Sequence, residues 1–324
     1  MLESAPRVSV VVPCYNAADF IGRALDSILA QSYRAFEVLV INDGSPDTPA
    51  LEEALRPYLS RIRYVRQENQ GPGGARNTGI LQARGEYVAF LDSDDAWERE
   101  FLAEQMRLLE ADPELDLVYA DALLVGDTPF AGRTFMDICP SQGEVTFESL
   151  LREECSVVTS CVVAKRQSLI AAGLFDARFF HSEDFDLWLR LLQSGGRIRY
   201  HRRCLGLHQA HRGSLTAEGT KLLEGKIAVC TKLRDSLDLS RSQRGAIEAY
   251  LSYCCGHLAL ETAKNCLSSR RYREATRNLR EARGSLPGWK LRLLTWTSVV
   301  APSLLRRLHV SRRSERQRSV GEAS

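Results

Sequence analysis

The sequence predicts an α/β fold: a mixed, mostly parallel sheet with helices on both faces over residues 1–215, then a helical C-terminal region over 216–324. Three observations carry this. Apolar, β-branched runs alternate with stretches of helical apolar spacing through the first ninety-odd residues. The runs are continuous rather than alternating, as in strands covered on both faces. Beyond about residue 216 the strand-like runs stop and only helical spacing continues.

Val8 to Val12 reads as the first strand, and Phe20, Ile21, Ala24, Leu25 and Ile28 as the apolar face of a helix. Phe36 to Ile41 is a second strand, closed by Asn42-Asp43-Gly44-Ser45. Thr48 is expected to cap a helix with Pro49 in its first turn. Ile62 to Val65 makes a third strand, and Gly71-Pro72-Gly73-Gly74 reads as a flexible loop before a helix from Ala75 to about Ala83. A fourth strand through Val88-Ala89-Phe90-Leu91 runs into Asp92-Ser93-Asp94-Asp95, and Trp97 to Leu109 looks helical. Successive strand–helix units of this kind form parallel pairs.

Three carboxylates in four positions repel one another, and one of them has a raised pKa unless a cation sits among them. Mg²⁺ or Mn²⁺ would relieve this with one or two carboxylates, water and substrate phosphate oxygens. An acidic turn leading into a helix is the alternative. Topology adds a constraint, because ligands of open α/β sheets sit beyond the carboxyl ends of the strands. Pro13 to Asn16, Asn42 to Ser45 and Asp92 to Asp95 all follow strands, so they should converge on one rim. Asp43 there could accept from a base N–H or a ribose hydroxyl, or simply belong to a turn. Arg76 could lie over a base or reach phosphate, or be a solvated helix arginine.

Composition sets outer limits. The chain has 324 residues, 44% hydrophobic and 26% charged, with a net charge of +2, so nothing global argues for nucleic acid. Nine cysteines without a CxxC pair fit a reducing compartment rather than a disulfide framework or zinc ribbon. Met1 to Arg7 is polar and the apolar run after it ends at Pro13, so no signal peptide is visible and the expectation is a cytoplasmic catalytic part.

Four stretches, VSVVVPCYNAADFIGRALDSILAQSY, VLVINDGSPD, NQGPGGARNTGI and YVAFLDSDD, resemble successive signature blocks of family 2 glycosyltransferases of the GT-A (Rossmann-like) fold, of the bacterial cell-surface polysaccharide type. The likeness runs over about residues 7 to 215. It implies a nucleotide-sugar donor (a UDP-sugar), a glycan or lipid-linked acceptor hydroxyl, a divalent ion (Mn²⁺ or Mg²⁺) held by the Asp92-x-Asp94 motif, and inversion at the anomeric carbon. By position it places Pro13 and Tyr15 in the nucleotide pocket, Asp43 on the base, Arg76 on the base or diphosphate, Asp92 near the ribose and Asp94 on the metal.

Inversion needs a base opposite the leaving group. Phe185, Trp188, Leu189 and Leu192 have helical spacing, so a helix begins near Ser182 and Asp184 lies in its first turn, where the ionised form is favoured. Acids in a first turn behind a Ser cap are also ordinary helix chemistry. The resemblance implies Asp184 as base and Glu183 as its supporting or acceptor-binding neighbour. Leu207 to Ser214 resembles the family's Tyr-Arg-x-His…Ser segment, with His208-Gln209 in place of Tyr-Arg. His211 would complete the metal shell or bind diphosphate, and Arg212 would be a second phosphate contact; considered without its context, His211 reads as a solvated loop histidine.

Asp127 to Gly143 lacks periodicity and suggests a long loop near the acceptor. Leu222 to Leu237, Ala246 to Cys266 and Arg271 to Ala282 are expected helices, the last two faintly like one tetratricopeptide hairpin. Residues 289–307 carry apolar residues and tryptophans between basic flanks, too few to span a bilayer. Such a segment suits an anionic membrane surface, which would make the protein peripheral on the cytoplasmic face of the inner membrane, or it packs on the body with a basic tail. Two further classes are a catalytically inactive nucleotide-sugar-binding or scaffold protein, which the intact acidic motif and Asp184 oppose, and a nucleotidylyltransferase, which would need a Gly-rich, arginine-containing loop where Pro13-Cys14-Tyr15-Asn16 stands.

Overall fold

A computed structural model of the chain describes residues 5–211, 219–286, 288–300 and 303. The chain divides into two compact units, Met1–Arg212 and Gly213–Ser324. The first opens with β1 (Val8–Cys14), α1 (Ile21–Leu29), β2 (Phe36–Asp43), α2 (Thr48–Leu55), β3 (Arg63–Gln67), α3 (Gly71–Gln82) and β4 (Tyr87–Phe90). It continues with β5 (Ala96–Trp97), α4 (Phe101–Ala111), β6 (Leu117–Gly126), α5 (Phe135–Ile138), α6 (Phe147–Leu151), β7 (Val162–Lys165), α7 (Arg166–Ala171), α8 (Glu183–Gln193) and β8 (Ile198–Ala210).

These strands form one sheet in the order β3-β2-β1-β4-β7-β6-β8-β5. The half from β3 to β4 is parallel throughout, while β7 runs antiparallel to both β4 and β6 and β8 pairs parallel with β6. Val8, Val10, Val11 and Val12 are all buried, so β1 is covered on both faces as its unbroken apolar run predicts. The fold is therefore the mixed, mostly parallel α/β sheet the sequence predicts, with the carboxyl ends of β1, β2 and β4 on one rim.

Several local expectations need correction. Gly71-Pro72-Gly73-Gly74 is the first turn of α3 rather than a flexible loop. Pro72 suits a first turn, and Gly73 allows close approach: a Cβ there would lie 3.2 Å from Phe175 and 3.3 Å from the Glu183 side chain. Thr48 is the first residue of α2, not its cap; its hydroxyl donates to the Ser45 carbonyl (2.6 Å) and accepts from the Asn42 amide (3.0 Å). Trp97 is not helical: it pairs with Gly206 of β8, and its indole N–H donates to the Ser160 carbonyl (2.6 Å). Within 127–143 the chain is more ordered than a plain loop. It folds back on β6 through Gly132 N–H to Leu124 O (2.8 Å) and forms α5 behind a capping box at Thr134.

The second unit consists, among the described residues, of α9 (Gly219–Ser236), α10 (Arg241–Ser268), α11 (Tyr272–Ser285) and α12 (Trp289–Val300). Ser240 caps α10 in a capping box with Gln243. Ala259, Ala263 and Cys266 of α10 pack with Ala275, Leu279 and Ala282 of α11, all small but Leu279 and at helical spacing, which lets the two helices approach closely. α12 covers the first part of the expected amphipathic stretch; the rest, apart from Ser303, lies outside the described residues.

Candidate active site

The rim is assembled by turns that hold one another. After β1 the backbone turns at Asn16, whose φ of 54° lies in the left-handed region, and its N–H donates to Ser45 Oγ (2.6 Å). Ser45 in turn donates to Asp47, which accepts from the Ala18 N–H (2.9 Å). The turns after β1 and β2 are therefore locked together, with Tyr15 exposed and Pro13 half-buried beside them. Asp43, buried at the end of β2, accepts on Oδ1 from Gln67 Nε2 (2.7 Å) and from the Gln70 N–H (2.9 Å). The second bond comes from the residue just before α3, so α3 starts against the β2 turn.

Arg76, in the second turn of α3, is the hub. Its buried guanidinium donates from Nη2 to Asp92 Oδ1 (2.6 Å) and from Nη1 to Glu183 Oε1 (2.7 Å), and packs over the Phe175 ring at 5.5 Å. The acidic motif after β4 is thereby joined to the first turn of α8. Next to Glu183, Asp184 accepts from the Thr159 hydroxyl on Oδ2 (2.7 Å) and from the Phe185 N–H on Oδ1 (2.7 Å). Ser182, at φ 65°, sets the entry into α8 and has no side-chain capping bond, so the alternative of acids behind a plain Ser cap is not what is found.

The other two acids of the motif turn toward β8. Asp94 Oδ2 meets His211 Nε2 at 3.0 Å, and His211 stacks on Phe20 with ring centroids 4.9 Å apart. Arg23 of α1 donates to the Asp94 carbonyl (2.7 Å) and to Gln209 Oε1 (3.1 Å). Asp95, fully buried, meets His208 Nδ1 at 3.1 Å and accepts from the Gln209 N–H (2.8 Å).

Titration follows this division. Burial works to raise Asp92, but Arg76 holds it below the ordinary carboxylate range. Glu183, the more enclosed of the two partners of Arg76, is pushed up to about 7, first by burial and then by Asp184, against the pull of the guanidinium. Burial, then Asp95 and Asp92, push Asp94 up to about 6. His208 is drawn down by burial, but Asp95 outweighs this and raises it to about 9.

Among the described residues no group of three or more His, Cys, Asp or Glu side chains is arranged to hold a metal on its own. Asp94 and His211 nevertheless fit two positions on one ion. Their facing atoms are 3.0 Å apart, the spacing of adjacent ligands in an octahedral shell with bonds of about 2.1 Å. Asp94 is also the acid of the three whose charge is least compensated, and a cation would hold it ionised.

The rim thus gathers Pro13, Tyr15, Asp43, Arg76, Asp92, Asp94, Glu183, Asp184 and His211, and Arg212 lies outside the described residues. Sequence reasoning missed Thr159, Arg23 and the Asp95–His208 pair. Thr159 lies in a stretch with no readable period. The last pair left two traces, a third carboxylate and a histidine where the family pattern has tyrosine.

Residues 9–139 match the model of glycosyl transferase family 2. An Escherichia coli protein named UDP-Glc:alpha-D-GlcNAc-diphosphoundecaprenol beta-1,3-glucosyltransferase WfgD is 32% identical over 187 residues, 57% of this chain and 70% of the relative. The chain spans about half the length of the curated relatives it matches, from 31% to 59% for a group of Rickettsia proteins. S. aureus TarS 1-349 in complex with UDP-GlcNAc has a TM-score of 0.63 at 19% identity, covering 95% of this chain and 92% of that one. The mannosyltransferase PcManGT from Pyrobaculum calidifontis, in complex with GDP-Man and Mn2+, has a TM-score of 0.63 at 20% identity, covering 95% and 84%. At such identities the two structures speak for the GT-A fold alone. With the E. coli relative matched at this identity over most of its length, the chain belongs to glycosyl transferase family 2.

Proposed function

We propose that the chain moves a sugar from a nucleoside-diphosphate donor, a UDP-sugar, to a hydroxyl of a glycan or lipid-linked acceptor, with inversion. The observation that carries this is the Arg76 bridge, which ties Asp92 to Glu183 and so sets Asp94 and Asp184 at one rim. Asp43 receives a donor N–H of the base, with Pro13 and Tyr15 beside it, and Asp92 stands toward the ribose. Asp94 and His211 would hold a divalent ion, Mn²⁺ or Mg²⁺, which when bound would neutralise charge on the departing diphosphate. Asp184 takes the proton of the attacking hydroxyl. Its bonds from Thr159 and Phe185 aim the carboxylate. Glu183, held by Arg76, lines the acceptor side.

The relative with UDP-Glc and a diphosphoundecaprenol acceptor in its name supports the UDP and lipid-linked assignments, and the archaeal complex with Mn2+ supports the ion. Such donors are cytosolic, which puts the rim on the cytoplasmic side. Thermal shift against UDP-, GDP- and dTDP-sugars, with and without Mn²⁺, tests the reading. A rise in melting temperature with a UDP-sugar that requires Mn²⁺ is expected. Equal rises with all three, or none with any, would overturn the donor assignment.

A further inference from the structure

α12 is built with its polarity reversed. The side chains it buries are Leu291, Thr295 and Ser298, and the two hydroxyl residues bond to helix carbonyls: Thr295 Oγ1 to Leu291 O (2.8 Å) and Ser298 Oγ to Thr295 O (2.7 Å). The Thr276 hydroxyl of α11 closes the contact on the Ser298 carbonyl (3.2 Å). The opposite face carries Trp289 (69% exposed), Leu293 (52%), Trp296 (63%) and Val299 (56%). At 100° per residue, Trp289, Leu293 and Trp296 fall within about 60° of arc and Val299 flanks them. A water-soluble helix normally points such residues inward.

Charge adds to this face. Arg292 lies within the exposed arc and, with Arg283, Leu286 and Gly288, lines a cleft of about 490 Å³ at the start of α12. Among the described residues neither arginine has an ion-pair partner. No helix among the described residues is long and apolar enough to cross a membrane, and twelve residues rise only about 18 Å. Beyond α12 the sequence adds Arg306, Arg307, Arg312, Arg313, Arg316 and Arg318 and no acid before Glu315.

We propose that the outer face of α12 is a docking surface for an anionic bilayer. Trp289, Leu293, Trp296 and Val299 enter the headgroup–acyl boundary, and Arg283 and Arg292 take lipid phosphates at its edge. The claim concerns where the protein sits and does not depend on the reaction proposed above.

The test uses the full chain and vesicles of phosphatidylcholine with or without phosphatidylglycerol. Of the four tryptophans, Trp97 and Trp188 are buried, so a change in emission reports on α12. Expected are co-sedimentation with the anionic vesicles only, weaker at high salt, and a blue shift of emission on binding. Leu293→Ser/Trp296→Ser should weaken binding at least tenfold, and Arg283→Glu/Arg292→Glu should weaken it severalfold, each keeping the wild-type melting temperature. Should the serine variant lose its fold instead, brominated acyl chains give the same answer on the native protein by quenching the surface tryptophans. No anionic binding, undiminished binding by a folded serine variant, or emission already blue-shifted in a dimer without vesicles would each overturn the proposal.

Discussion

The two halves of the sheet hold their acids in different ways. In the parallel half, Asp43 is gripped by a backbone N–H and an amide, and Asp92 by a guanidinium from α3, all groups that keep their state across physiological pH. Toward the mixed half, Asp94 and Asp95 are met by imidazoles from the end of β8 and just after it. Three neighbouring carboxylates that would repel one another are thus divided among three partners, a guanidinium on α3 and two imidazoles three residues apart at and just past the end of β8. The division teaches why the motif survives at a strand end: groups of fixed protonation state hold Asp43 and Asp92, and titratable imidazoles meet Asp94 and Asp95.

The sharpest way to break this comparison is Asp94→Ala, which should remove at least ~100-fold of transfer activity and the metal requirement of donor binding. Steady-state rates with and without chelator measure both, and full activity would return Asp94 to a plain turn residue. Arg76→Met comes next. It leaves Asp92 and Glu183 without their cation and should cost about 3 kcal/mol of stability, read from urea unfolding. A loss under about 0.5 kcal/mol would mean the bridge is peripheral to the fold.

Packing offers a smaller test of the same contrast. A Cβ on Gly79 of α3 would lie 2.3 Å from a Val11 methyl of β1, and one on Gly206 of β8 would lie 2.3 Å from Cys161 Sγ. Alanine at either site should cost roughly 1–3 kcal/mol by overpacking. The Gly79 variant should have the smaller net loss, because alanine recovers helix propensity of about 1 kcal/mol there.

The mildest effect concerns His208. Its pKa rises from 6.5 to about 9 in the fold, so the stability it adds is complete below pH 6.5 and fades as pH rises through 9. Relative to His208→Gln, the native chain should be more stable at pH 6 by on the order of 1 kcal/mol, an advantage absent by pH 10. Parallel curves for the two proteins would remove the ion pair with Asp95.

The same two halves differ in how far they could be read from the sequence. β1, β2 and β4 are unbroken apolar runs in a series of βαβ units, so period and the parallel direction sufficed to place Asp43 and Asp92 on one rim, although β4 pairs with β1 rather than with β3. β5 is two residues long and is made by its pairing with β8, more than a hundred residues away, so Trp97 followed by Phe101 looked like helix spacing. The glycines before Arg76 look like a loop because nothing local reveals that Glu183 and Phe175 press against Gly73 and Phe180 against Gly71. Asp184 was placed in a first turn by the period of its own helix. Its tie to Arg76 through Glu183 spans 107 positions and leaves no local mark.

One experiment bears most directly on the claim that a single rim binds the donor and deprotonates the acceptor: calorimetric titration of UDP-sugar with Mn²⁺ into Asp184→Asn, alongside a transfer assay. Donor affinity within a few-fold of the native chain together with a rate reduced by ~100-fold or more is the predicted pair of results. Near-native transfer by that variant, or loss of donor binding along with transfer, would contradict Asp184 as the base.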